Sequence, residues 1–353
     1  MKKFIHISLL GLLFCTTTSC SKDELVQVEP QGQGREIAFN MAKTRATYSS
    51  LADIDEFGVY AVMSDAPDDN YDQPSDVVYT HIISGADGKG ARVYWDENIG
   101  ADGGFTYDNV AYWFDERTFH FFGYWPYSTP AEIAGDGYSY MLDFAVEAAT
   151  KPEDQTANDD LLTFHYTTAY SNGNATTVNV EFAHILSKIT FSISQDFVKN
   201  PYDVFHVNSV TLSNIKAGGT YTTSRYNRVG SWNYSNVNIS FKETFNADVQ
   251  FTPAPPGSND LVVFEDLKLV PQTITSNQIG LVVDYTYRQG DIEGNLGEEQ
   301  SKTARVFLPI GQWLPNKAYN YKMTLYQDNL LVFRNIDISP WGEQPDAGTI
   351  IIK

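Results

Sequence analysis

From Ile279 to Tyr287 every second residue is apolar: Ile279, Leu281, Val283, Tyr285 and Tyr287 fall on one face of an extended chain. The segment Ala318–Tyr326 repeats the pattern, with Tyr319, Tyr321, Met323 and Leu325 alternating against Asn320, Lys322 and Thr324. Between Phe57 and His165 no segment holds apolar residues at helical spacing for three turns. A period of two means strands with one wet and one dry face, and such strands bury their dry faces only by stacking sheets. The fold class is therefore all-β. The 22 Tyr and 21 Phe suit pleated, half-buried surfaces, and 25 Gly with 15 Pro supply the turns that many short strands need.

The alternation also shows where the chain changes sheets. Val178, Val180 and Phe182 share one parity, whereas Ile189, Phe191 and Ile193 take the other. A strict period of two cannot invert without a bulge, a bend or a new strand, which places a crossover at residues 184–188. With 353 residues, enough for two domains, this divides the chain into an N-terminal domain over 46–183 and a C-terminal one over 184–353.

What precedes residue 46 reads differently. Lys2 and Lys3 lead an apolar run from Phe4 to Cys15, then small polar residues reach Cys20. Residues 1–19 form a signal peptide, too short for a lasting membrane span. Cys20 resembles the lipid-bearing cysteine at a bacterial lipoprotein cleavage point, with Thr17 where Leu is usual. It is the one thiol left once the signal is removed, so no internal disulfide can form. Residues 20–45 are then a lipidated tether carrying one short strand. In Glu36–Ala42, Ile37, Phe39 and Met41 share a face, and Lys43-Thr44-Arg45 follows as a protease-cuttable site at the Arg45–Ala46 bond. A strand beside a cleavage site, just after an export signal, suggests a removable piece of a β-fold.

Chemistry is sparse by comparison. The six His show no metal-ligand spacing, and no nucleophile elbow, P-loop or dinucleotide fingerprint occurs. Ser213–Lys216 forms an isolated S-x-x-K without its usual partner motifs. Neither catalysis, cofactor nor metal is expected. A formal net charge of -20 repels phosphate backbones, which argues against nucleic acid. Tyr124, Trp125 and Tyr127 form the best candidate cluster for stacking on a glycan, against packing between sheets.

Several segments resemble, in order and spacing, the fimbrillin-like lipoproteins that build type V pili. They are Cys20-Ser-Lys-Asp-Glu24, Thr44-Arg45-Ala46 after a strand, the aromatic Phe119–Tyr127, Phe182-Ala-His184-Ile-Leu-Ser-Lys188-Ile189, and Ala318–Tyr326 running on to Ile338-Ser-Pro-Trp341-Gly342. The resemblance implies two transthyretin-like β-sandwich domains and an outer-membrane lipoprotein displayed on the cell surface in a fimbria. It further implies trimming by an Arg-specific protease at Arg45-Ala46. Other pilin subunits would then assemble by strand complementation, a neighbour's C-terminal strand filling the groove left by the first. Leu330, Val332, Ile336 and Ile338, interrupted by Arg334, offer one donor pattern, and Ile350 with Ile352 a shorter one. The competing readings are a surface adhesin or glycan-binding tip protein that does not polymerise, and an exported glycan-processing enzyme.

Overall fold

The computed structural model describes residues 35–41, 54–65, 78–100, 103–134, 139–145, 160–171, 177–196, 202–224, 227–245, 260–326, 328–341 and 349–350. Residues 35–353 form one compact unit. Apart from a 3-10 turn at Ala86–Gly88, the regular structure among them is strand. The first eleven are β1 (Ala38–Asn40), β2 (Glu56–Ser64), β3 (Tyr79–Ile83), β4 (Ala91–Asp96), β5 (Gly104–Tyr107), β6 (Arg117–Trp125), β7 (Ala131–Ile133), β8 (Tyr140–Ala145), β9 (Leu162–Tyr170), β10 (Thr177–Asn179) and β11 (Ala183–His184). Then follow β12 (Ser187–Gln195), β13 (Val204–Lys216), β14 (Gly218–Ser224), β15 (Asn227–Tyr234), β16 (Asn238–Thr244), β17 (Leu261–Leu269) and β18 (Thr273–Ile274). The last are β19 (Gly280–Arg288), β20 (Gln300–Phe307), β21 (Gly311–Gln312), β22 (Lys317–Leu325), β23 (Leu331–Pro340) and β24 (Thr349–Ile350).

The all-β class expected from the alternation holds. A seven-stranded antiparallel sheet runs β11-β9-β6-β2-β4-β5, with β3 also paired to β2. One face of it carries Phe57, Val93, Phe119, Phe121 and Phe164, buried together with Ile37 and Phe39 from the first strand and Val178, Val180 and Phe182 from around β10. The later strands make a sandwich. Its five-stranded sheet runs β17-β12-β22-β23-β24 and its four-stranded sheet β16-β13-β19-β20. Between them lie Ile189, Phe191, Tyr321 and Met323 from one side and Val210, Leu212, Leu281 and Val283 from the other. All but Val210 and Leu212 belong to the alternating sets read from the sequence.

The parity break near His184 is real. β11 still pairs with β9, and after a short turn β12 joins the five-stranded sheet. Another four-stranded sheet, β15-β14-β8-β7, takes strands from both stretches of chain, since β14 pairs with β8. It covers the back of the seven-stranded sheet, where Tyr60, Phe122, Tyr124, Tyr140, Leu142 and Tyr221 are buried together. Tyr140 stacks on Tyr60 at 4.4 Å and on Phe122 at 5.2 Å.

Candidate functional site

The strand predicted over Glu36–Ala42 is present, with β1 as its regular part. Ile37 and Phe39 are buried, Met41 packs half-buried against the same cluster, and Ala38 and Asn40 face solvent, as alternation requires. Ala42 lies outside the described residues. On one side β1 runs parallel to β10, pairing Ala38 with Thr177, Phe39 with Val178 and Asn40 with Asn179. Val180 N–H extends that ladder to Asn40 O at 2.8 Å. On the other side Glu36 bridges Tyr112 in antiparallel sense. There Ile37 N–H donates to Ala111 O at 2.9 Å and Trp113 N–H to Arg35 O at 2.9 Å.

Side chains close this seat from beneath. The Phe39 ring meets Tyr107 at 5.5 Å, Phe121 at 6.0 Å and Phe57 at 6.1 Å, each edge to face. The Tyr107 hydroxyl donates to Ile37 O at 3.1 Å and accepts from Ala111 N–H at 3.1 Å, so it joins the wall to the strand. Burial pushes that phenol up to about 12. Among the described residues β10 has no strand partner except β1. Without residues 35–41 the site would be a slot floored by three rings and edged by unpaired backbone groups on both sides.

The signature segment around His184 ties the chain's later end to its earlier half. Phe182 enters the core beside Phe57 and Phe164. His184 Nδ1 lies 2.7 Å from Asp160 Oδ2, both groups being buried, and its ring stacks flat on Trp341 at 4.0 Å. Ser187 Oγ–H donates to Leu314 O at 2.8 Å. The sequence marked these residues as a motif. Nothing in their spacing showed that His184 would grip the residue following β23.

Two candidate sites read from the sequence look different in the structure. Tyr124 is fully buried and Trp125 nearly so, and only Tyr127 is part-exposed, so the aromatic cluster offers no open face for a sugar to stack on. The reason is local: Gly58 leaves room for the Tyr124 ring, and a Cβ at that position would run into it. The longer donor pattern also fails to hold one face. Leu330 and Val332 are exposed, Ile338 is half-buried, and the inward residues of β23 are Leu331 and Ile336. A one-residue bulge between the Met323–Phe333 and Lys322–Asn335 pairs inverts the parity at Arg334. Arg334 turns outward, donating to Asp260 Oδ2 at 2.6 Å and Ser194 Oγ at 3.3 Å.

The shorter candidate sits at an edge, where β24 pairs Thr349 with Asp337 and Ile350 with Ile336. Cys20, Arg45, Ala46 and Ile352 lie outside the described residues. The groove walls, Ala111–Trp113 and Thr177–Asn179, were not recognised as such from the sequence. The alternation of Val178, Val180 and Phe182 was the signal present, but it gave no hint of a parallel partner 139 residues earlier.

A family model described as fimbrillin-like matches residues 44–341. Among solved structures the chain is similar to a fimbrial protein from Bacteroides vulgatus ATCC 8482, at 14% identity, covering 87% of this chain and 99% of that one with a TM-score of 0.64. That likeness shows a shared fold. Weaker likenesses are to a candidate cell adhesion protein from Bacteroides uniformis ATCC 8492 (14% identity, 89% and 100% covered, TM-score 0.47) and to the fimbrial anchor protein of Porphyromonas gingivalis (11% identity, 87% and 98% covered, TM-score 0.35). Comparison with curated proteins gave no match.

Proposed function

The chain belongs to the fimbrillin-like family, and from that premise we propose that it is a non-catalytic subunit of a type V fimbria, exported as a lipoprotein on Cys20 and serving cell adhesion at the bacterial surface. In this reading an Arg-specific protease cuts Arg45–Ala46 and releases the strand built on residues 36–41. A strand from the next subunit then takes the vacated place.

The observation that carries the reading is how β1 is held. It is short, it lies between two segments that do not otherwise pair with each other, and it is the one strand partner of β10 among the described residues. Its loss would uncover apolar floor and unpaired N–H and C=O groups together, and an incoming strand with alternating apolar residues restores both. Of the two donor candidates, the segment beginning at Thr349 is the one the geometry favours. It is held by two residue pairs at a sheet edge, whereas withdrawing β23 would empty Leu331 and Ile336 from the core.

One observation favours the second reading, a tip adhesin that accepts a strand but gives none: the segment beginning at Thr349 is itself paired to β23 within its own chain. Replacing Arg45 by Ala separates the proposals. Strand exchange requires the variant to stay monomeric and lipid-bound with residues 21–45 retained. Normal polymer from that variant would sink the exchange model, and an uncleaved wild-type chain that still adheres would support the adhesin.

A further inference from the structure

We infer that the open face of the β16-β13-β19-β20 sheet is a binding platform for a short acidic saccharide. Its inner face supplies the sandwich core and its outer face is open to solvent. In a chain of net charge -20, that outer face is basic. Lys216, Lys242, Arg288 and Arg305 project from it, each following a buried inward residue, while Asp284 is the carboxylate that the same strands present there. Asp284 is already satisfied, accepting from Ser209 Oγ at 3.1 Å and Thr303 Oγ1 at 2.7 Å. Arg288 donates to Gly297 O at 3.1 Å in the acidic β19–β20 hairpin. Lys216, Lys242 and Arg305 have no carboxylate partner among the described residues.

Two neighbouring rungs define the site. In one, Lys242 pairs with Thr211, Thr211 with Val282, and Val282 with Arg305. Two cations thus stand at its ends, about 14 Å apart across three strand spacings. In the next rung Ser240, Ser213, Gly280 and Phe307 lie in line. Phe307 is 41% exposed, and its ring edge borders Gly280, where an added Cβ would sit 3.5 Å from the ring and 3.3 Å from Ser213 Oγ.

An exposed aromatic ring beside a glycine, with hydroxyls next to it and a guanidinium two residues along the strand, matches the chemistry of a sugar with a carboxylate. The apolar ring face stacks on Phe307, sugar hydroxyls meet Ser240 and donate to Ser213 Oγ, whose own O–H donates to Gly280 O at 3.2 Å, and the carboxylate reaches Arg305. Because β13 and β19 are paired on both sides, a peptide strand could add only at the β16 or β20 edge, beside this face and not across it. A long polyanion is repelled by the rest of the molecule, whereas a short one feels mainly charges within about 10 Å.

The inference stands apart from strand exchange and is tested on the full, unassembled chain. Titration with oligogalacturonate and sialyllactose, against maltohexaose and hexaglutamate, should show binding of the acidic saccharides that weakens with added salt. The pair Lys242→Glu with Arg305→Glu should lower affinity at least about tenfold. Phe307→Ala should lower it roughly fivefold, and Phe307→Tyr should restore it. These side chains are exposed or half-exposed, so unchanged melting curves are expected to accompany the losses. Absence of binding to either acidic saccharide would overturn the inference. So would equal binding of hexaglutamate with no effect of Phe307→Ala, which would reduce the face to a patch of charge.

Discussion

Phe39 and Tyr107 are the residues on which the first strand's seat depends. Phe39→Ala removes a ring that three others contact, and a buried Phe truncation costs about 3–5 kcal/mol. Denaturant unfolding should show that loss, and limited proteolysis should show earlier cutting between residues 35 and 46. Tyr107 adds a pH dependence whose sign is fixed by its raised folded value of about 12. Its contribution is complete below the unfolded value near 10 and is lost as pH rises toward 12, because the unfolded chain gives up the phenolic proton first. The wild type should therefore lose up to about 2–3 kcal/mol more than Tyr107→Phe between those limits, measured by unfolding at fixed pH steps. At neutral pH the same variant should cost about 1 kcal/mol, one shared hydroxyl being removed. None of this was visible in the sequence. Tyr107 stands in a short run with nothing to distinguish it from the chain's other tyrosines.

At the scale of strands the sequence was most readable where one face is wet. The alternations over Ile279–Tyr287 and Ala318–Tyr326 became β19 and β22 with the expected inward sets, and the parity break at 184–188 became the passage from β11 to β12. It was least readable where both faces are dry. β6 is buried along nearly its whole length, so its rings gave no parity from which to tell a platform from a core. β23 misled for another reason, since a bulge at Arg334 costs one residue of register and leaves no mark on composition. The ion pair made there gives a test. Asp260→Ala leaves a part-buried guanidinium without its partner and should destabilise by about 1–3 kcal/mol, measured by chemical denaturation. The seat of β1 gives another. After excision of residues 35–45 the melting temperature should fall, and a synthetic Glu36–Ala42 peptide should raise it again in a concentration-dependent way. If the peptide leaves the melting curve unmoved, the slot is not a strand acceptor.

Across the whole molecule the sheet formed by β15, β14, β8 and β7 joins the early and late stretches of chain, and His184 clasps Trp341 over the same junction. Calorimetry should accordingly give one transition rather than two, and Trp341→Ala should begin to separate them. The sequence pointed to the place where the halves meet but not to the sheet they share. β14 and β8 lie far apart along the chain, and pairing across such a distance is set by the packed molecule rather than by local pattern.

The seat of the first strand has a direction. One wall runs with it and the other against it, so an occupant entering head first and one entering tail first would meet different ladders. A slot of this kind reads direction. Subunits joined through it would all point the same way, so the two ends of the assembly would be chemically unlike, one offering an empty slot and the other an unspent strand. Contacts of that sort build an open filament wherever the rotation between neighbours does not close a ring. Growth and termination would then be separate events at separate ends, each open to its own control.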